Sequence, residues 1–140
     1  LEEEKMTKTG KLLDMAKKMA EAAAAKAVEI DVPMVIVVVD AAGNMVLYNR
    51  MEDSLLASMD IAANKAYTAV ALKMSTDAAA PLAKEDGQLF GIASCDKGRM
   101  VVFGGGFPIF EDGKIIGGIG VSGGSVDEDM SVAKAGLSVL

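Results

Sequence analysis

Over about 5–30 the apolar positions recur at three- and four-residue steps. Leu12, Ala16, Met19, Ala23, Ala27 and Ile30 form one stripe, while Lys11, Lys17, Lys18 and Glu21 fall largely on other faces. This spacing predicts an amphipathic helix whose contact stripe is mostly alanine, able to lie close to its support. The period then changes. After Pro33, residues 34–40 (MVIVVVD) form a β-branched, nearly continuous apolar run, the pattern of a central strand. The segment AAGN turns the chain, and 45–49 (MVLYN) returns as an antiparallel partner. A second helix is predicted over about 54–74, with Leu55, Met59, Ala62, Ala66 and Ala69 on one face. A break and a short helix follow in 73–87, and FGIAS (90–94) and RMVVF (99–103) read as short strands or extended segments.

The stretch 103–124 holds nine of the fifteen glycines and still reads as a hairpin around Asp112-Gly113, a strong two-residue turn signal. Counting outward sets Glu111 against Lys114, Phe110 against Ile115, Ile109 against Ile116, Phe107 against Gly118 and Gly105 against Gly120. One face is then a bare shelf at Gly105, Gly118 and Gly120. Such a shelf either lets an alanine-rich helix approach closely or leaves a slot for a flat ligand or a neighbouring subunit. Ser125 and Glu128 fit a capping box opening a last helix, striped by Met130, Ala133, Leu137 and Leu140. The pattern predicts an α+β fold: one domain over 1–140, with a mainly antiparallel five-stranded sheet flanked by helices.

Composition narrows the function. The net charge of −6, with no basic stripe, argues against nucleic acid as a partner. No apolar run approaches the roughly 20 residues of a membrane helix, so no membrane partner is expected and the cytoplasm is the expected location. One cysteine permits no intrachain disulfide. Histidine is absent altogether, which excludes Ser-His-Asp and Cys-His catalysis and histidine zinc sites. No acid–base pair is identifiable in its place, so a binding protein is expected ahead of an enzyme using Lys65 or the Asp53 carboxylate. Residues 118–123 match the dinucleotide fingerprint Gly-x-Gly-x-x-Gly, but Asp127, Glu128 and Asp129 would repel a pyrophosphate at the helix that follows. The ten methionines fall mostly on apolar stripes and read as core.

Several residues are candidates for chemistry, each with a plainer role beside it. Asp53 or Ser54 suits the N-cap of the second helix. Arg50 suits a carboxylate, from Asp53 or from a ligand. Lys65 and Tyr67 lie on the second helix, where a partly buried lysine would anchor an anion and an ordinary one would be solvated. Cys95 reads as a loop thiol.

The blocks VVVDAAGNMVLYNRMEDSLLASMDIAANKAYTA (37–69) and FGGGFPIFEDGKIIGGIGVSGGSVDEDMSVAKAG (103–136) resemble the two signatures of the GlcG/HbpS haem-binding, or haem-degrading, family. The likeness is strongest to the type found as the C-terminal domain of the propanediol-utilisation protein PduO, notably in LLASMDIAANKAYTA. It implies a profilin-like sheet, homo-oligomeric assembly, and binding of haem or another tetrapyrrole, or of a corrinoid. It also implies an accessory role in diol- or glycolate-type metabolism. Some relatives carry a histidine near positions 94–95, where this chain has Ser94 and Cys95. Thiolate, thioether and phenolate are the remaining kinds of axial ligand, which makes Cys95, Met51 and Tyr67 the candidates. In this reading Arg50 meets an acidic substituent, Asp53 and Lys65 lie near the ligand, and Phe107 with Gly104, Gly105 and Gly106 lines the apolar wall. The competing reading is an oligomeric interaction module without a ligand of its own.

Overall fold

The β-branched run after Pro33 becomes the central strand of the computed structural model, which describes residues 10–140. In chain order the elements are α1 (Lys11–Glu29), β1 (Val35–Asp40), β2 (Met45–Arg50), α2 (Leu56–Leu72) and the single turn α3 (Thr76–Ala79). After a loop come β3 (Gly106–Glu111), β4 (Lys114–Ser122) and α4 (Val126–Leu137). The predicted start of the first helix, at 5–9, lies outside the described residues.

The sheet is antiparallel with strand order β2-β1-β4-β3. Both faces of β1 are covered, which is why its apolar run does not alternate. Ile36 and Val38 join Ala16, Met19, Ala23 and Ala27 of α1, Ile119 and Val121 of β4, and Val132 and Ala133 of α4. Val35, Val37 and Val39 face Ala62 and Ala66 of α2. The protein is thus three layers deep, with α1 and α4 on one side of the sheet and α2 on the other.

The glycine shelf lies under α2. A Cβ built on Gly120 would stand 2.1 Å from the Ala62 carbonyl oxygen, and one on Gly118 2.7 Å from that of Ala66. On Gly106 it would stand 2.4 Å from the carbonyl oxygen of Lys65. Helix backbone rests directly on strand backbone along this line, so any side chain on the sheet would lift the helix away.

Three expectations are corrected. Among the described residues the sheet has four strands, not five, and it is not the profilin-like sheet expected. FGIAS and RMVVF supply no strand: Ile92–Ser94 and Asp96–Gly98 are 3-10 turns. Gly91, Asp96, Lys97 and Gly98 all have positive φ, which breaks an extended run. The Val101 N–H is taken by the Thr68 hydroxyl on α2 at 2.9 Å and not by a strand neighbour.

The second correction is register. Glu111 faces Lys114 and Phe110 faces Ile115 as counted, but Ile109 then pairs with Gly117, Phe107 with Ile119 and Gly106 with Gly120. Ile116 is the extra residue of a β-bulge, and a one-residue slip moves everything beyond it to the opposite face. The bulge puts Phe107, Ile109 and Ile119 together toward α1 and α4. Gly106, Gly118 and Gly120 are left together toward α2. Pro108 falls on the edge strand, where a missing amide donor costs least.

The third correction concerns caps. α4 carries the full capping box: Ser125 Oγ accepts from the Glu128 N–H at 3.2 Å, and the Glu128 carboxylate accepts from the Ser125 N–H at 2.9 Å. α2 begins after Leu55 with no side-chain cap, so neither Asp53 nor Ser54 has that role. Asp53 instead turns the chain with φ 68.

Replacing Gly120 by alanine should lower stability by about 3 kcal/mol, because the methyl group displaces α2 along its length. Gly98, at φ +76 with open space around its Cβ direction, should lose only about 1 kcal/mol of backbone strain on the same change. Urea denaturation of both variants checks this, and equal midpoints would mean that α2 does not press on Gly120.

Candidate functional site

Lys65 lies on the buried stripe of α2, three residues from Ala62 and four from Ala69, and its side chain is 0% exposed. Its ammonium must therefore find partners within the fold. Nζ stands 2.8 Å from Asp129 Oδ2 on α4 and 2.9 Å from the Val121 carbonyl oxygen on β4. The third donor direction is served by the Phe103 ring, with its centroid 5.0 Å from Nζ. Asp129 Oδ1 accepts the Gly124 N–H at 2.8 Å, which ties the loop before α4 into the same knot. Beside it, the Ser122 and Ser58 hydroxyls bond at 3.0 Å. Burial pushes the lysine below its usual pKa and the Asp129 carboxyl above its own, each opposed by their mutual bond.

Gly104, Gly105 and Gly106 enclose this pair and are buried. At φ +127, a Cβ on Gly105 would lie 2.6 Å from Lys65 Nζ, while one on Gly104 would strike Met130 and Val126. The position of Lys65 within an alanine stripe was the signal of its burial. Its partner Asp129 is, in the sequence, one of three acids at a helix start.

A second polar group assembles around Tyr67. Its hydroxyl donates to the Asp96 carboxylate, and Arg99 Nη2 donates to the Tyr67 oxygen at 3.0 Å and to Asp96 Oδ1 at 2.5 Å. The Arg99 guanidinium lies 4.1 Å from the centre of the Tyr67 ring. The bond to Asp96, then burial, raises the phenol above its ordinary pKa. The same bond, then Arg99, lowers the Asp96 carboxyl. Neither Asp96 nor Arg99 stood out in the sequence, since both belong to a turn with no periodic pattern.

The remaining candidates do not converge on one point. Arg50 is exposed at the end of β2 opposite Val35, followed by Met51 and Asp53. Tyr67 sits at the other end of that hairpin, its ring 3.0 Å from where a Gly43 Cβ would be. A six-residue strand, about 20 Å long, separates them. Met51 is half-buried, its sulfur accepting the Met34 N–H at 3.4 Å. Phe107 is half-buried on β3, at the opposite edge of the sheet from β2. Cys95 is an exposed free thiol next to Asp96 in sequence. No cluster of carboxylates and thiols among the described residues has the arrangement of a metal site.

One open groove of about 470 Å³ lies where the two hairpin turns meet the end of α2. Val70, Phe110 and Ile115 give it apolar walls, and Lys73 and Lys114 add cations.

The fold and these polar knots define a three-layered α+β scaffold held by buried and surface ion pairs. The chain belongs to the family described as haem degrading protein HbpS-like, whose model matches residues 12–138. It is 46% identical over 125 residues to the "uncharacterized 15.0 kDa protein in dhaT-dhaS intergenic region" of Citrobacter freundii, covering 89% of this chain and 88% of that one. It is 39% identical over 122 residues to the corrinoid adenosyltransferase PduO of Salmonella typhimurium, covering 87% of this chain. The match spans only 36% of PduO. Among solved structures, the PduOC:heme complex superposes with a TM-score of 0.89 at 38% identity, covering 91% of this chain and 92% of that one.

Two outcomes follow from the polar knots. Asp129→Leu leaves a buried ammonium unpaired and should cost about 3–5 kcal/mol in chemical denaturation. The double change Asp129→Leu with Lys65→Met should recover most of that loss, and a purely additive result would mean the two groups are not coupled. For Tyr67, a raised phenol pKa gives stability that is present below the ordinary value of 10.0 and lost as pH rises through the folded value. Asp96 contributes above the ordinary 3.8 and loses its contribution as pH falls. Asp96→Asn should therefore move one phenolate transition, followed by ultraviolet absorbance, to lower pH. An unmoved titration would mean that the bond is absent in solution.

Proposed function

We propose that this protein binds haem or a related tetrapyrrole, a corrinoid included, as an accessory module of diol- or glycolate-type metabolism, without catalysis of its own. The observation that carries this reading is the likeness, over nine-tenths of the chain, to a domain whose solved structure is a haem complex. The chain supplies an apolar groove with cations for the carboxylates of such a ligand. It supplies no imidazole, since it has no histidine. Tyr67 is engaged by Asp96 and Arg99, and the Met51 sulfur by a backbone N–H, while Cys95 is an exposed free thiol outside the groove. The same reading takes the protein to assemble with copies of itself in the cytoplasm. Leu55 and Leu56, 61% and 83% exposed, support that assembly.

The second reading, an interaction module without a ligand, is favoured by one observation. The glycine shelf that offered a slot is filled by α2. Titrating haemin and a corrinoid separately into the purified protein decides between the two. A saturable change in absorbance, beyond that given by an unrelated acidic protein of similar size, is expected for at least one of them. Two unsaturable titrations would leave the interaction module in its place.

A further inference from the structure

The groove between the hairpin turns brings exposed apolar side chains and two lysines to one concave place. Phe110 and Ile115 are direct cross-strand neighbours, and Phe110 remains 55% exposed although it lies on a sheet. Val70 of α2 continues the apolar surface, and the volume of about 470 Å³ lies in the range of small-molecule sites. The two cations beside them are unspent. Lys114 faces Glu111 across the strands, yet Glu111 is bonded to Lys11, and Asp112 of the same turn also acts on Lys11. Neither Lys114 nor Lys73 has an ion-pair partner among the described residues. In a chain of net charge −6, two unpaired ammonium groups on one apolar groove make a local anion site.

We propose that this groove binds a planar apolar molecule bearing two carboxylates, as in the dicarboxylic porphyrins, with Phe110 and Ile115 under its face and Lys73 and Lys114 on its carboxylates. This rests on the tetrapyrrole reading above and locates its site. No thiol, thioether, imidazole or phenol lines the groove. Recognition is then of the macrocycle and its acidic edge, so iron is not required. The site is distinct from both the Lys65 knot and the Cys95 turn.

The test uses haemin and iron-free protoporphyrin IX, titrated by absorbance and fluorescence. Lys73 has φ 57, so Lys73→Asn removes its charge while keeping a residue that tolerates that backbone, and Lys114→Gln removes the other. The double variant should bind both porphyrins about tenfold or more weakly, the loss expected for charge-assisted contacts. Phe110→Ser should weaken both equally, and Cys95→Ser should change neither. Circular dichroism and the melting temperature confirm that each variant is folded. Wild-type affinities for the two porphyrins should agree within about threefold, a difference below the tenfold of a 1.4 kcal/mol contact. Haemin binding that ignores the lysines but is lost in Cys95→Ser, or that greatly exceeds protoporphyrin binding, would overturn the groove and leave the tetrapyrrole reading standing. No saturable binding of either porphyrin by the wild type would overturn both.

Discussion

The contact of α2 with a sheet face that carries no side chains sets the spacing of the whole molecule. Carbonyl oxygens of Ala62, Lys65 and Ala66 lie where Cβ atoms of Gly120, Gly106 and Gly118 would otherwise be. That contact depends in turn on the bulge at Ile116. Without the extra residue, Phe107 would share a face with Gly118 and Gly120, and its ring would stand between sheet and helix. Shelf and bulge are therefore one device. The glycines provide the clearance, and the bulge gathers them on one side while sending the large side chains to the other.

Close approach also explains how a lysine comes to be fully buried. With α2 pressed to the sheet, Lys65 has no route to solvent, and its length carries the ammonium to the far end of β4 and the start of α4. Burying such a pair gives little net stability compared with an apolar core, because both ions lose their hydration. Its value lies in position. The bonds to Val121, Asp129 and the Phe103 ring fix the relative placement of α2, β4 and α4, which apolar packing of small alanines specifies loosely.

What the sequence revealed follows from the range of the forces involved. The α1 stripe, the central strand, the Asp112-Gly113 turn and the Ser125 capping box rest on contacts within a few residues, and they were legible. The bulge was not, since it arises from a competition between two faces that only the assembled layers decide. The loop 83–105 misled because its valines and isoleucine suggest strands, while its positive-φ residues and the Thr68 hydroxyl settle the backbone otherwise. Among the site residues, the stripe carries a signal for Lys65, three residues after Ala62 and four before Ala69, but Asp129 lies 64 positions away, beyond any local pattern. The groove is legible only in three dimensions, where two turns and a helix end meet.

Pro108 has a further consequence at the outer rim of the sheet. β3 is an edge, and edges invite another chain to continue the ladder. A proline in its middle removes one amide from the row of donors such a ladder needs, and the nearby bulge twists the strand out of a flat template. The β2 edge, whose sequence Met45–Arg50 has no proline, lacks that interruption. The two margins of the sheet are thus chemically unlike: the β2 edge is interrupted only by its own bulge at Val46, whereas the β3 edge also lacks a donor in the row that another chain would have to meet.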